Sequence, residues 1–210
     1  MKNLTAIEIA LIPSKDSIEA LGVLNKNLFD ICPQSFLFTE KKTPHISLLQ
    51  LFVNKHFLLS EKLTELWFRI GQVNCPNKVE LTKLTHLKIE NDVSAPILLV
   101  KKSEQLLELQ KTCHELLFPF KIDSEHHQSE YFFDSNANPI DTQKVNQFYY
   151  DSSLENYQPY LTLNICSTQT YNWFKENQTL PKQLQLSELV LTQLGIHCMA
   201  SSNIYYKRNI

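Results

Sequence analysis

The sequence predicts an α+β fold of two similar lobes, in which a βαβαβ unit occurs twice. Segments with strand and helix patterns alternate along the chain, and their order starts again near the middle, once in residues 5–90 and again in 96–194. The third segment of each copy is a strand that follows a proline. This duplication predicts two lobes about a pseudo-twofold axis, with residues 1–94 and 95–210 as the lobes of one domain.

The first copy begins with a strand at residues 5–12, which is rich in apolar and β-branched side chains and stops at a proline. Polar caps then start a helix that reaches about residue 29, with apolar residues at helical spacing. Residues 45–53 predict a mostly buried strand. A helix follows from residue 61 to 70, and residues 78–90 form a long strand or a strand pair.

The second copy repeats this order with a long polar segment inserted. Its strand at 96–100 and its helix at 104–117 match the first copy. Residues 123–143 predict a loop, and loops of this length inside a compact domain are often lids or binding segments. A strand, a short helix and two final strands complete the chain, at residues 160–165, 169–175, 186–194 and 203–207.

The composition excludes several classes of function. The 20 Lys and Arg nearly balance the 22 Asp and Glu, which gives a net charge of −2. The chain therefore lacks the excess of positive charge with which proteins bind the phosphates of long nucleic acids. Only three glycines occur, at Gly22, Gly71 and Gly195. A Gly-rich phosphate loop or a hydrolase serine elbow needs glycines a few residues apart. Nucleotide-binding classes built on such loops are therefore excluded.

Cysteine usage and hydropathy predict a cytoplasmic protein. The five cysteines are odd in number, widely spaced and without a C-x-x-C motif, which favours reduced thiols over disulfides or a structural zinc site. The longest strongly apolar run, residues 95–100, is too short to span a bilayer. The first residues carry no signal-peptide core. We therefore expect no membrane association.

Two short motifs mark corresponding strands of the two copies. The first reads PHISL at residues 44–48, and the second reads PYLTL at residues 159–163. Because side chains alternate across a strand, His45 and Ser47 share one face of the first strand. Tyr160 and Thr162 share one face of the second in the same way. If the lobes pack symmetrically, the two pairs face each other across a groove.

Such a groove carries the groups that phosphodiester cleavage requires. The reaction needs a base, an acid and hydrogen-bond donors for the charge that grows on the phosphoryl oxygens. His45 and Tyr160 are the candidate proton-transfer residues, and Ser47 and Thr162 are the candidate phosphate ligands. This chemistry needs neither a metal nor an organic cofactor, so we predict none.

These motifs resemble those of the 2H phosphoesterase superfamily, which includes 2′-5′ RNA ligase-like proteins and cyclic nucleotide phosphodiesterases. The resemblance implies two antiparallel sheets that face a central groove, with helices outside. It also implies that His45 is catalytic and that Ser47 and Thr162 hold the phosphate. The implied activity is metal-independent hydrolysis of 2′,3′-cyclic phosphates, 2′-5′ linkages or related nucleotide esters.

The second motif departs from the family at Tyr160, where a histidine is expected. Tyrosine titrates near ~10 and histidine near ~6.5, so a phenol donates protons at neutral pH but is a poor base. Two interpretations stay open. Either His45 is the base and Tyr160 a weaker acid or phosphate donor, or the pair is disabled and the groove only binds. His86 or His197 could also replace the missing histidine.

The leading hypothesis is therefore a hydrolase of 2H type, acting on a small nucleotide or an RNA end and weakened by Tyr160. One alternative is an inactive module that binds nucleotides or RNA ends. Another is a protein-interaction protein that keeps the fold and uses aromatic residues of the 131–150 region. In each case we expect a monomer that does not bind long duplex nucleic acid.

Overall fold

The structure, a computed structural model, describes residues 3–32, 36–39, 42–90, 92–133, 137–195 and 200–210. In these residues the strands are β1 (Leu4–Pro13), β2 (Ile46–Asn54), β3 (Lys78–Glu90), β4 (Val93–Val100), β5 (Tyr160–Thr162), β6 (Cys166–Ser167), β7 (Gln183–Leu194) and β8 (Ala200–Asn209). The α-helices are α1 (Lys15–Ile31), α2 (Lys55–Leu58), α3 (Glu61–Ile70), α4 (Glu104–Leu117), α5 (Pro139–Ser152) and α6 (Thr168–Glu176).

The strands pair in the order β2-β1-β7-β3-β4-β5, with β8 beside β7 and β6 beside β4. Every one of these neighbouring pairs is antiparallel. The pairing of β3 with β7 spans only residues 78–80 and 183–185, so a short ladder joins two groups of strands. This antiparallel arrangement with flanking helices confirms the predicted fold class.

The two halves of the chain exchange strands. Strand β7 comes from the second half but pairs with β1 of the first half, and β8 pairs with β7. Strand β3 comes from the first half but pairs with β4 of the second. Each half therefore completes the sheet of the other. The division into lobes at residues 94 and 95 stays a prediction.

Strands β2 and β5 stand at the two ends of the sheet order, yet they contact each other. The strand array therefore folds back on itself, and a large apolar core fills the space between the strands and helices. Core residues such as Leu48, Leu161 and Leu163 are fully buried in this cluster. The fold-back brings the two strands that carry the PHISL and PYLTL motifs together.

Serine caps begin most of the longer helices. The side chains of Ser14, Ser60, Ser103 and Ser167 each accept a hydrogen bond from the backbone N–H three residues later. Such caps satisfy donors that the first helical turn leaves unpaired, and each typically contributes about 1 kcal/mol. The helices predicted to begin near residues 14, 60 and 103 are accordingly present.

Helix α5 corrects the prediction of a loop over residues 123–143. Asn138 forms a capping box with Asp141, and Pro139 occupies the first helical position, where its missing N–H costs nothing. His127 bonds Thr142 of the helix at 2.8 Å and so ties the preceding segment to it. Part of the predicted loop, residues 134–136, lies outside the described residues.

The aromatic residues before α5 belong to a small second core. Tyr131 and Phe132 are buried, and their ring centroids lie 5.7 and 5.9 Å from that of Phe52 in edge-to-face contacts. Aromatic side chains in such a segment can stack on a nucleobase or pack in the core. Tyr131 and Phe132 are core, since both rings are used in packing within the protein.

Among the cysteines that the structure describes, Cys75, Cys113 and Cys166 are free thiols. Burial raises the pKa of Cys166 to about 11, so this thiol stays protonated at neutral pH and acts as a packing residue. Cys198 lies outside the described residues. No helix in the described part of the chain is long and apolar enough to cross a membrane.

Candidate active site

A cavity of about 290 Å³ opens between β2, β5 and α5. His45, Ser47, Tyr160 and Thr162 all line it. The structure therefore brings together the four residues that the sequence singled out, and it does so because the folded strand array brings β2 and β5 into contact. The catalytic and phosphate-binding roles of these residues stay predictions.

The rest of the cavity wall combines apolar side chains with polar and charged ones. Phe36 and Phe148 line it together with Leu87, Ile89, Ala95 and Ile165. Lys88 of β3, Lys144 of α5 and Asp151 of α5 contribute charged side chains. A cavity that combines the polar motif residues with apolar side chains suits a ligand that has a small polar group and a flat apolar body.

Two buried asparagines from opposite halves of the chain hold Phe36 in the wall. Asn25 of α1 donates to the Phe36 carbonyl at 3.0 Å and to the Leu163 carbonyl at 2.8 Å. Asn164 accepts from the Phe36 N–H at 3.2 Å and donates to the Phe36 carbonyl at 3.1 Å. Both polar backbone groups of Phe36 are thereby satisfied, and its position is fixed relative to β5.

A β-bulge in β2 places Ser47 and Gln50 on one face of the sheet. Glu8 pairs with Gln50, but Ala10 pairs with Ser47, so Leu48 is an extra residue in β2. Bulges re-aim side chains and are frequent beside active sites. Because of this bulge, two residues three positions apart both point toward Glu8.

Glu8 is the hub of a buried hydrogen-bond network below the cavity. Its Oε1 accepts from Ser47 Oγ at 2.5 Å and from Gln50 Nε2 at 2.9 Å. His45 Nε2 lies 3.2 Å from the same oxygen. Glu8 is 0% exposed, so this carboxylate contacts the candidate residues from behind rather than lining the cavity.

The ring of His45 is held on both sides. Its Nδ1 lies 2.9 Å from the carbonyl oxygen of Thr43, and its Nε2 faces Glu8. Burial alone lowers the pKa of His45, but the Glu8 charge, its hydrogen bond and the bond to Thr43 together raise the pKa above its ordinary value. The charged form of His45 is thereby stabilised relative to that of a histidine in water.

Tyr157 links the two motif strands. Its phenol donates a 3.0 Å hydrogen bond to the backbone carbonyl of Ser47, across 110 residues of sequence. Burial is the main cause that raises the pKa of Tyr157 well above its ordinary value, so the phenol remains a donor. This bond ties the segment just before β5 to β2 beneath the cavity.

Two other histidines that the structure describes, His86 and His114, lie elsewhere in the fold. The ring of His86 packs against Tyr171 of α6 with centroids 4.5 Å apart, and it does not line the cavity. His114 is sandwiched with Phe118 and Tyr149 and serves packing. His86 therefore does not replace the histidine that the second motif lacks. His197, the other residue considered for that role, lies outside the described residues.

Metal ligands do not cluster within the described parts of the chain, where no three His, Cys, Asp or Glu side chains come together. His126 and His127 are adjacent in the sequence, and histidine is a common metal ligand. His127 instead bonds Thr142 through Nδ1, which gives it a structural role at α5.

Sequence reasoning missed two features of the site. Glu8 resembles a solvent-facing residue of an alternating strand, and only its position opposite the PHISL strand could have revealed it. Lys144 and Phe148 were missed because α5 lacks a strong apolar stripe. The signal for α5 was Asn138 followed by Pro139 and Asp141, which is a helix start.

Solved structures of similar fold include TT0787 of Thermus thermophilus, at 13% identity and a TM-score of 0.52, covering 98% of this chain and 97% of that one. Kluyveromyces marxianus Usb1 with uridine monophosphate matches at 9% identity and a TM-score of 0.50, covering 100% and 99%. Apo LigT of E. coli matches at 12% identity and a TM-score of 0.47, covering 99% and 95%. No model of a protein family and no curated protein sequence matches this chain. TT0787 and Usb1 therefore show that this chain has their fold, which is the fold of the 2H phosphoesterase superfamily that the two motifs predicted.

Proposed function

We propose that this protein is a metal-independent phosphodiesterase that acts on a small nucleotide or an RNA end, at a 2′,3′-cyclic phosphate or a 2′-5′ linkage. The observation that carries the proposal is the shared cavity of His45, Ser47, Tyr160 and Thr162. The fold supports the general class of phosphoesterase. The substrate and the contribution of Tyr160 are our own proposals.

The shape of the cavity supports a nucleotide ligand. Hydroxyls of Ser47 and Thr162 and the rings of His45 and Tyr160 suit a phosphate, and the apolar wall with Phe36 suits a base. Usb1, which shares the fold, has been solved with uridine monophosphate. A cavity of about 290 Å³ suits one nucleotide better than a duplex.

In this proposal the chemistry is weak at neutral pH. An unperturbed tyrosine such as Tyr160 keeps its proton well above neutral pH, and the Glu8 charge beside His45 raises the pKa of His45. Both residues can therefore donate to a phosphate or a leaving oxygen. Activation of water needs a group that accepts a proton, so turnover depends on the fraction of His45 that is neutral.

The test is hydrolysis of a 2′,3′-cyclic nucleotide by the purified protein, with product separated by chromatography. We expect a nucleoside monophosphate to form, and we expect His45→Ala to lower the rate by about 10²–10⁴. His56→Ala, an exposed position on α2, is the matched control and should leave the rate unchanged. Equal rates for His45→Ala and the wild type would refute the catalytic role of His45.

A binding module is the second candidate, and one observation favours it. Glu8 engages both His45 Nε2 and Ser47 Oγ, the atoms that a phosphodiesterase would use on its substrate. This candidate predicts calorimetric binding of a nucleoside monophosphate with no product after long incubation. We further propose that the protein acts as a monomer in the cytoplasm.

A further inference from the structure

Glu8 is the one charged residue of β1, a strand that is otherwise apolar or uncharged and almost entirely buried. Burying a carboxylate is costly unless hydrogen bonds or an opposite charge compensate it. The Oε1 atom has three donors near it, whereas the buried Oε2 has no hydrogen-bond partner in the described structure. Compensation of this charge therefore falls largely to His45.

The hydrogen-bond partners of His45 define where its protons are. The Thr43 carbonyl oxygen can only accept, so Nδ1 must donate to it. An ionised Glu8 can also only accept, so Nε2 must donate as well. A histidine that donates through both ring nitrogens is an imidazolium cation.

We propose that Glu8 is a positioning residue that keeps the resting His45 as an imidazolium, so that His45 meets a bound anion as a cation and serves as the base only in the fraction that has lost its proton. The role of His45 in the reaction rests on the proposed function, but the charge state of the His45 ring does not. Ser47 and Gln50 share the same carboxylate oxygen and thereby fix its orientation.

Other charged or titratable groups near His45 cannot supply this effect. Lys88 and Lys144 line the same cavity, and their positive charges disfavour an imidazolium. Asp151 also lines it, but it is exposed and therefore screened by solvent. Among the described residues that line this site, the remaining titratable groups are Tyr157 and Tyr160, and tyrosines are neutral at neutral pH when unperturbed.

The experiment is an NMR titration of the protein labelled with ¹³C and ¹⁵N in histidine, with His45→Gln used for assignment. In the wild type we expect His45 to titrate above the ordinary value of about 6.5 and to carry protons on both nitrogens below that point. In Glu8→Gln, which keeps the shape and removes the charge, we expect the His45 titration to fall by about 1–3 units.

Two further variants separate a charge effect from a packing effect. Glu8→Asp keeps the charge and should preserve part of the raised titration. Glu176→Gln, at an exposed position of α6, removes a carboxylate elsewhere and should change nothing at His45. A parallel pH–rate profile on a 2′,3′-cyclic nucleotide should shift in the same direction as the ring titration in Glu8→Gln.

An unchanged His45 titration in Glu8→Gln would overturn the inference. Should Glu8→Gln not fold, a wild-type His45 that titrates at or below about 6.5 would overturn it equally. Failure of the proposed function is a different result. A wild type that turns over no cyclic nucleotide, with the titration shifted as expected, refutes the enzyme and leaves the Glu8 inference in place.

Discussion

Asn164 holds Phe36 by both of its backbone polar groups, although 128 residues separate the two in the sequence. The asparagine follows the PYLTL strand, and the phenylalanine lies in the wall of the cavity. One side chain therefore connects the second motif to the opposite wall. The shape of the cavity therefore depends on the hydrogen bonds between Asn164 and Phe36 as well as on the motif residues.

Replacing Asn164 with alanine should destabilise the protein by about 2–3 kcal/mol, because the buried N–H and carbonyl of Phe36 lose a partner. Urea unfolding measures the change. Asn177→Ala is the matched control, since Asn177 is exposed and bonds only locally to the Trp173 carbonyl. Similar free energies of unfolding for the two variants would contradict the structural role of Asn164.

The stability that His45 contributes should decline as the pH rises. The pKa of His45 is raised in the folded protein, so its contribution is complete below the unfolded value of about 6.5. It is lost as the pH rises through the folded value. The free-energy difference between wild type and His45→Asn, from urea unfolding at a series of pH values, should therefore shrink with rising pH. A difference that grows with pH would disprove the assignment.

Tyr160→His should raise the rate of cyclic nucleotide hydrolysis by about 10²-fold, because an imidazole can accept a proton near neutral pH. Steady-state assays on the two proteins measure this. Tyr150→His is the control, since Tyr150 is 60% exposed and does not line the cavity. A lower rate in Tyr160→His would mean that the phenol has a role of its own.

Lys144→Gln should raise the KM for a nucleotide about two- to fivefold with little change in kcat, because a partly exposed charge contributes modestly to anion binding. The salt dependence of KM should weaken at the same time. Lys175→Gln, on the exposed face of α6, is expected to behave as the wild type. If Lys144→Gln and Lys175→Gln have the same KM and the same salt dependence, Lys144 does not contribute to nucleotide binding.

Local patterns predicted the elements well. Strand β1 showed β-branched residues ending at Pro13, and serine caps marked α3 and α4. The motif pair also predicted that His45 and Tyr160 would share a cavity. These successes share a cause, since alternation and capping depend on residues a few positions apart.

Non-local relationships could not be predicted in this way. The place of β7 between β1 and β3 depends on pairing between residues more than 100 positions apart, and no local pattern encodes it. Glu8 was overlooked for the same reason. A glutamate between two isoleucines looks like the solvent-facing residue of a strand until the strands on both sides of it are known.

The exchange of strands between the halves bears on how the gene could be divided. A cut near residue 94 would leave β1 in one fragment without β7, and β4 in the other without β3. Each fragment would then expose to solvent a strand edge with unpaired backbone groups, together with apolar side chains that the whole protein buries. We expect such fragments to be insoluble apart and to reassemble when produced together, as the two parts of a split reporter do.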